Sequence, residues 1–169
     1  MSFGALVTLI LVSIFSLPAF AANSGTDGED NRSASVAGSE SSIGKFEEIL
    51  NTYQERLTSK SVDGILELYS ADPVFMPEYA PPAAGREAVR KAYEWVFATL
   101  NLNGRFLVHE AEVIGDTAWV RTSSTGRFTV VATGAGGDVA NSELFVFKRE
   151  NGAWKIHRYI FTASAAPSE

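Results

Sequence analysis

The stretch from Asn141 to Phe161, NSELFVFKRENGAWKIHRYIF, limits the possible folds more than any other part of the chain. Two long apolar runs meet at Asn151-Gly152, a dipeptide that tolerates the positive φ angles of a tight hairpin turn. Placing Glu150 opposite Ala153 sets Lys148 against Lys155, Val146 against His157, Leu144 against Tyr159 and Ser142 against Phe161. One face of that ribbon carries Leu144, Val146, His157, Tyr159 and Phe161. The other carries Glu143, Phe145, Phe147, Trp154, Ile156, Arg158 and Ile160. Both faces are rich in large apolar groups, so each needs a cover.

The preceding chain supplies one cover. From Lys45 to Thr58, apolar residues fall at Phe46, Ile49, Leu50, Tyr53 and Leu57, the stripe of an amphipathic helix. Ser61 is placed to cap a second helix with Val62, Ile65, Leu66 and Tyr69 on one side, and Pro73 ends it. Val74-Phe75-Met76 reads as a short strand, and Glu78 to Gly85 as a proline-bearing loop. A third helix runs from about Arg86 to Leu100, burying Val89, Ala92, Tyr93, Val96, Phe97 and Leu100. Everything after Asn101 reads as strand. Phe106–Ile114 and Thr117–Val131 form a hairpin with Glu110 opposite Arg121 and Glu112 opposite Trp119 on a polar, outward face. Leu107, His109, Ala111 and Val113 then share the other face with Ala118, Val120, Thr122 and Ser124. The expected fold class is α+β, with a curved antiparallel sheet covered on one face by three N-terminal helices. A second copy of the chain is the expected cover for the remaining face, in a two-fold homodimer.

Composition narrows the functions. At 169 residues and 46% hydrophobic content, the chain holds one well-cored domain. Its formal charge of −6 comes with no basic patch, which argues against nucleic acid as a partner. It has no cysteine and only His109 and His157 as histidines, so disulfides, thiol catalysis and a histidine-rich metal site are not expected. Gly134 to Asp138, GAGGD, lacks the following lysine and helix of a phosphate loop, and no cofactor is expected.

Met1 to Ala21 reads as an export signal: an apolar run to Leu17, a break at Pro18, and small residues at Ala19 and Ala21. The apolar run is short for a span of about 20 residues, which favours cleavage after Ala21 and an exported (secreted or periplasmic) protein. The alternative is an uncleaved membrane anchor, since no Lys or Arg precedes the run. Ala22 to Ser42 is rich in Ser, Gly, Ala and acid and reads as a disordered linker. The folded domain is expected over residues 43–163, with a tail over residues 164–169.

With LELYSADPVFMP, then AAGREAV, then ELFVFKRENGAWKI in this order, the chain resembles the nuclear transport factor 2-like superfamily, in its SnoaL-like and ketosteroid-isomerase-like branches. The resemblance covers Ile43 to Ala163 and implies a cone-shaped roll enclosing a pocket, commonly dimeric through its convex side. It is specific for fold and not for activity. Carried over by position, Tyr53 falls where the isomerases hold their oxyanion tyrosine, Pro77 where they hold the general base, and Leu144 where they hold a protonated aspartate. Two of three roles are therefore lost, with Glu78 adjacent to the missing base.

The same correspondence implies that the concave face holds Leu144, His157, Tyr159 and Phe161. With Tyr69, Met76, Tyr79 and Tyr93, these give a pocket wall around His157, Tyr53 and His109 as candidate catalytic groups. Phe145, Phe147, Trp154, Ile156 and Arg158 are then expected at an oligomer interface. The expected function is binding of a small apolar molecule, with isomerase, cyclase or hydratase chemistry as its extension. The alternative is a non-catalytic oligomeric scaffold, since the C-terminal WKIHRYIFTASAAP is similar to the association domain of calmodulin-dependent kinase.

Overall fold

The computed structural model describes residues 32–164; the expected signal segment and most of the tail lie outside the described residues. Three helices, α1 (Arg32–Thr58), α2 (Val62–Leu68) and α3 (Arg86–Thr99), are interleaved with and followed by six strands. The strands are β1 (Tyr69–Met76), β2 (Ala83–Ala84), β3 (Leu100–Ile114), β4 (Thr117–Val130), β5 (Gly136–Glu150) and β6 (Ala153–Ala163). They form one curled, unclosed sheet in the order β2-β1-β6-β5-β4-β3. The fold class is α+β. One pairing departs from the antiparallel expectation: β1 runs parallel to β6. Among the described residues, no helix is long and apolar enough to cross a membrane.

Local chemistry explains the boundaries. Helix α1 begins at Arg32, inside the stretch expected to be a disordered linker. A helix satisfies its own backbone, so it propagates from the packed segment around Phe46 without needing further apolar partners. Ser61 caps α2 by accepting from the Gly64 amide at 3.2 Å. That helix stops at Leu68, well before Pro73, and Tyr69 opens the strand. Pro73 lies in the stretch where the β1–β6 register slips, a place that tolerates a residue with no N–H. Gly104 and Gly126 face each other across the long β3–β4 hairpin. A Cβ on Gly126 would lie 2.2 Å from the Asn103 carbonyl oxygen, so this close approach requires glycine.

Two β-bulges decide which side chains point inward. In β3–β4, Val108 pairs with Thr122 and Glu110 with Arg121, leaving His109 as the extra residue. In β5–β6, Phe147 pairs with Ile156 and Val146 with Arg158, leaving His157 as the extra residue. Each bulge shifts the alternation of its own strand by one. The expected pairings Lys148–Lys155, Glu110–Arg121 and Glu112–Trp119 are present, and beyond each bulge the expected partners are displaced.

The inner face therefore holds Glu143, Phe145 and Phe147 on β5 with Ile156, Tyr159 and Phe161 on β6. Phe145, Phe147 and Ile156 are fully buried against the helices. Their assignment to an oligomer interface is corrected: they are core. Trp154 is half-buried against Phe46, with ring centroids 5.7 Å apart, and Arg158 braces the bulge by donating to the Asp72 and His157 carbonyls. Conversely, Leu144 is 40% exposed on the outer face with Ile160, so it is no part of an interior wall. Met76 pairs with Ile160 and shares that outer face.

The interior is a pile of aromatic rings. Phe145 stacks on Tyr159 at 4.0 Å with planes 7° apart, Tyr159 on Phe75 at 5.5 Å, and Phe75 on Tyr93 at 5.2 Å. Each such pair contributes about 0.5–1.5 kcal/mol beyond the burial of its surface.

Candidate functional site

Most of the pile is apolar, but two polar groups of atoms are built into it. The first is a chain of three tyrosine hydroxyls. Tyr93 on α3 touches Tyr53 of α1 at 2.5 Å and Tyr69 of β1 at 2.9 Å. Three hydroxyl protons serve two contacts, so one proton is left over, on Tyr53, on Tyr69, or on Tyr93 if it accepts from both neighbours. Burial, the leading cause in each case, raises all three phenols well above their ordinary value. They stay neutral and act as donors, not bases.

The second is Glu143, only 4% exposed at the centre of the inner face. Its Oε2 accepts from Thr122 at 2.5 Å, and its Oε1 accepts from Ser124 at 2.6 Å and Tyr159 at 3.4 Å. Asn141 donates to the Ser124 hydroxyl at 3.1 Å, which leaves the serine proton directed at the carboxylate. Burial raises the Glu143 carboxyl above the usual range, opposed by the hydrogen bonds from Ser124, Thr122 and Tyr159. A carboxylate offers about four lone pairs, and three are used. The fourth, on Oε2, takes no hydrogen bond from the described residues.

Burial falls off from this point along the strands. The row Val108, Thr122, Glu143, Phe161 is followed by Phe106, Ser124, Asn141, Ala163. Phe106, Ser124, Asn141 and Phe161 are half-buried, so they border the acid on its more open side. A recess of about 250 Å³ between α1 and β3 is lined by Glu47, Leu50, Asn51, Phe106 and Val108. The Phe106 ring closes its inner end, with centroids 5.6 Å from Tyr53 and 5.9 Å from Phe145.

The histidines are elsewhere. His109 is exposed on the outer face, its Nε2 2.8 Å from the Ser123 hydroxyl. His157 lies at the β1–β6 seam. Its Nδ1 is 3.1 Å from Ser70 Oγ, 3.0 Å from Arg158 Nη1 and 3.4 Å from Asp72 Oδ1. A serine–histidine–aspartate relay needs its serine and its acid on opposite ring nitrogens. Here both approach the same one, and the Arg158 donor makes that nitrogen an acceptor. Burial, then Arg158, lowers the His157 pKa, while Asp72 opposes the shift. Neither histidine joins the Glu143 cluster.

Of the other expected residues, Tyr53, Tyr69, Tyr93 and Tyr159 come together in the interior, Phe161 borders it, and Tyr79 is 68% exposed on its loop. The residue that sequence reasoning missed is Glu143. Its signal was its position on the Phe145–Phe147 face of the hairpin, an acid on a face with no room for solvent.

Comparison with known proteins follows this geometry. The SnoaL-like domain family matches residues 50–157. No curated protein matches the chain. Among solved structures, a ketosteroid isomerase-like protein from Erwinia carotovora atroseptica is similar at 25% identity and a TM-score of 0.68, over 73% of this chain and 97% of that one. A protein named as a scytalone dehydratase from Novosphingobium aromaticivorans gives 15% identity and a TM-score of 0.66, over 73% and 84%. A protein named as a calcium/calmodulin-dependent protein kinase II association domain, from Xanthomonas campestris, gives 19% identity and a TM-score of 0.61, over 87% and 98%. The last two likenesses are of fold alone.

Proposed function

We propose, on the premise that this chain belongs to the SnoaL-like domain family, that it binds a small, largely apolar molecule bearing one hydrogen-bond donor. The observation that carries this reading is the free lone pair of Glu143, a buried carboxylate otherwise saturated by Thr122, Ser124 and Tyr159. These three donors offset only part of the cost of burying the acid, whose pKa stays raised, and a fourth donor would offset more of it. The half-buried Phe106 and Phe161 rings, with Ser124 and Asn141, border the acid and suit a flat one- or two-ring molecule. Isomerase or dehydratase-type chemistry is the natural extension. Glu143 would take a proton, and a neutral tyrosine hydroxyl at the Tyr53 end of its chain would stabilise the resulting oxyanion. The neighbour named as ketosteroid isomerase-like supports that class.

The test is a thermal-shift and calorimetry screen of one- and two-ring phenols, enols and lactams against wild type and Glu143→Gln. Binding by wild type and a loss of about 10- to 100-fold in the variant are expected, the worth of a hydrogen bond to a charged group. Affinity should also weaken as pH falls, beginning above the ordinary carboxylate range, because the acceptor form is lost through a raised pKa. Equal affinity in both proteins would sink the reading.

A second reading, compatible with the first, rests on the outer face. Leu144, Ile160 and Leu107 are 40%, 45% and 57% exposed there. The row Glu112, Trp119, Val146, Arg158 crosses the face from acid to base. A second copy related by a two-fold axis lays acid against base over this apolar centre, so we take the chain to be a homodimer through this face. Sedimentation of wild type should show a dimer at micromolar concentration, and Leu144→Asp a folded monomer whose melting temperature no longer rises with protein concentration. A monomeric wild type rejects it.

A further inference from the structure

Strand β1 last pairs with β6 at Met76–Ile160, yet β6 runs on to Ala163. Pro77 has no N–H and the chain turns away, so the backbone ladder ends there. The Glu78 carboxylate takes its place, accepting from the Ala163 amide at 2.6 Å and from the Thr162 hydroxyl at 3.2 Å. Ala163 pairs with Asn141, one inward-facing row beyond the Glu143–Phe161 pair. One end of the loop is thus fixed beside the candidate site.

The next residue is held in an unusual conformation. Tyr79 has φ +60°, a left-handed backbone uncommon for a bulky side chain, and its ring stands 68% exposed. The Ala80 amide closes a turn onto the Pro77 carbonyl at 3.5 Å, and Pro81 and Pro82 stiffen the far side. The Glu78 carboxylate, by hydrogen bonding, holds the Tyr79 phenol above its ordinary value, and the loop presents that ring to water on a left-handed residue one strand row beyond the buried acid.

We propose that the loop from Pro77 to Pro82 is a lid over the Glu143 site, hinged at the Glu78 carboxylate, and that Tyr79 closes onto the bound molecule. The lid rests on the reading of Glu143 as a ligand acceptor. It adds the element that would shield the ligand's outer side, and it assigns control of residence time to Tyr79. A ligand that relieves the Tyr79 backbone and covers its ring stabilises the closed form by that difference alone.

Naphthol, a flat two-ring molecule with one O–H donor and its own fluorescence, is the probe. Stopped-flow traces are taken on the full chain, comparing wild type with Tyr79→Ala, Glu78→Ala and Glu143→Gln. Tyr79→Ala should speed naphthol release about tenfold while leaving the melting temperature unchanged, since an exposed ring contributes little to folding. Glu78→Ala should speed both arrival and release, moving the affinity less than either rate. Should Glu78→Ala fail to fold, Tyr79→Ala decides alone. Unchanged release in Tyr79→Ala, with binding still weakened in Glu143→Gln, overturns the lid and leaves the acid's role standing. No naphthol binding by wild type overturns both.

Discussion

Phe145→Ala should lose about 3–5 kcal/mol of stability, the usual cost of deleting a buried aromatic ring. Phe145 has no exposed surface, stacks on Tyr159 at 4.0 Å, and touches the Phe106, Phe147 and Tyr53 rings at about 6 Å. A domain of this size has about 5–15 kcal/mol to lose in all. The variant should therefore melt about 10 °C or more below wild type, with its urea midpoint shifted and its slope kept. The same substitution would act differently if this face met a partner: the fold would survive and only association would suffer. Leu144→Asp, one residue along, should do that instead. A Phe145→Ala protein that melts like wild type but sediments as a monomer would reverse the assignment of the two faces.

The second large effect is expected at the tyrosine chain. Tyr93→Phe removes the hydroxyl that both neighbours use, leaving the Tyr53 and Tyr69 hydroxyls buried without a partner. Each orphan costs about 1–3 kcal/mol, so the total for the two should be about 2–6 kcal/mol. Tyr69→Phe removes an end of the chain and leaves the Tyr93–Tyr53 contact intact, for a loss of about 1 kcal/mol. The asymmetry is the diagnostic, read by denaturant unfolding of the two variants side by side. Equal losses would mean that the three hydroxyls do not act as a chain.

Much of the architecture was legible in the residues. The stripes of α1 and α3, the Ser61 cap, the Gly115-Asp116 and Asn151-Gly152 turns and the Glu110–Arg121 pairing all follow from local chemistry. So does the grouping of Glu143, Phe145 and Phe147 on one side of β5, because alternation along an uninterrupted strand needs no tertiary information. The errors trace to two residues. His109 and His157 are the extra residues of β-bulges, and a bulge carries no sequence signature comparable to an Asn-Gly turn. Past His157, Tyr159 and Phe161 join the Phe145 side instead of the Leu144 side. The resemblance implies a concave face holding Leu144 with those two rings, and without the bulge that places Glu143 and Phe145 toward a partner. The histidines that looked like catalytic groups on that alternation are bulge residues outside the acid cluster.

Sequence was thus sufficient for the main elements, their order and the α+β class, since each rests on interactions between residues a few positions apart; it missed the two-residue β2 inside the expected Glu78–Gly85 loop and the start of α1 inside the expected linker. Which face of the β5–β6 ribbon is interior depends on register over whole strands, where one inserted residue inverts everything beyond it. The acid at the centre of the site could be recognised only after that choice. Glu143 on a convex surface is an ordinary ion-pair partner; on the inner face, with Thr122, Ser124 and Tyr159 turned toward it, it is a buried acceptor.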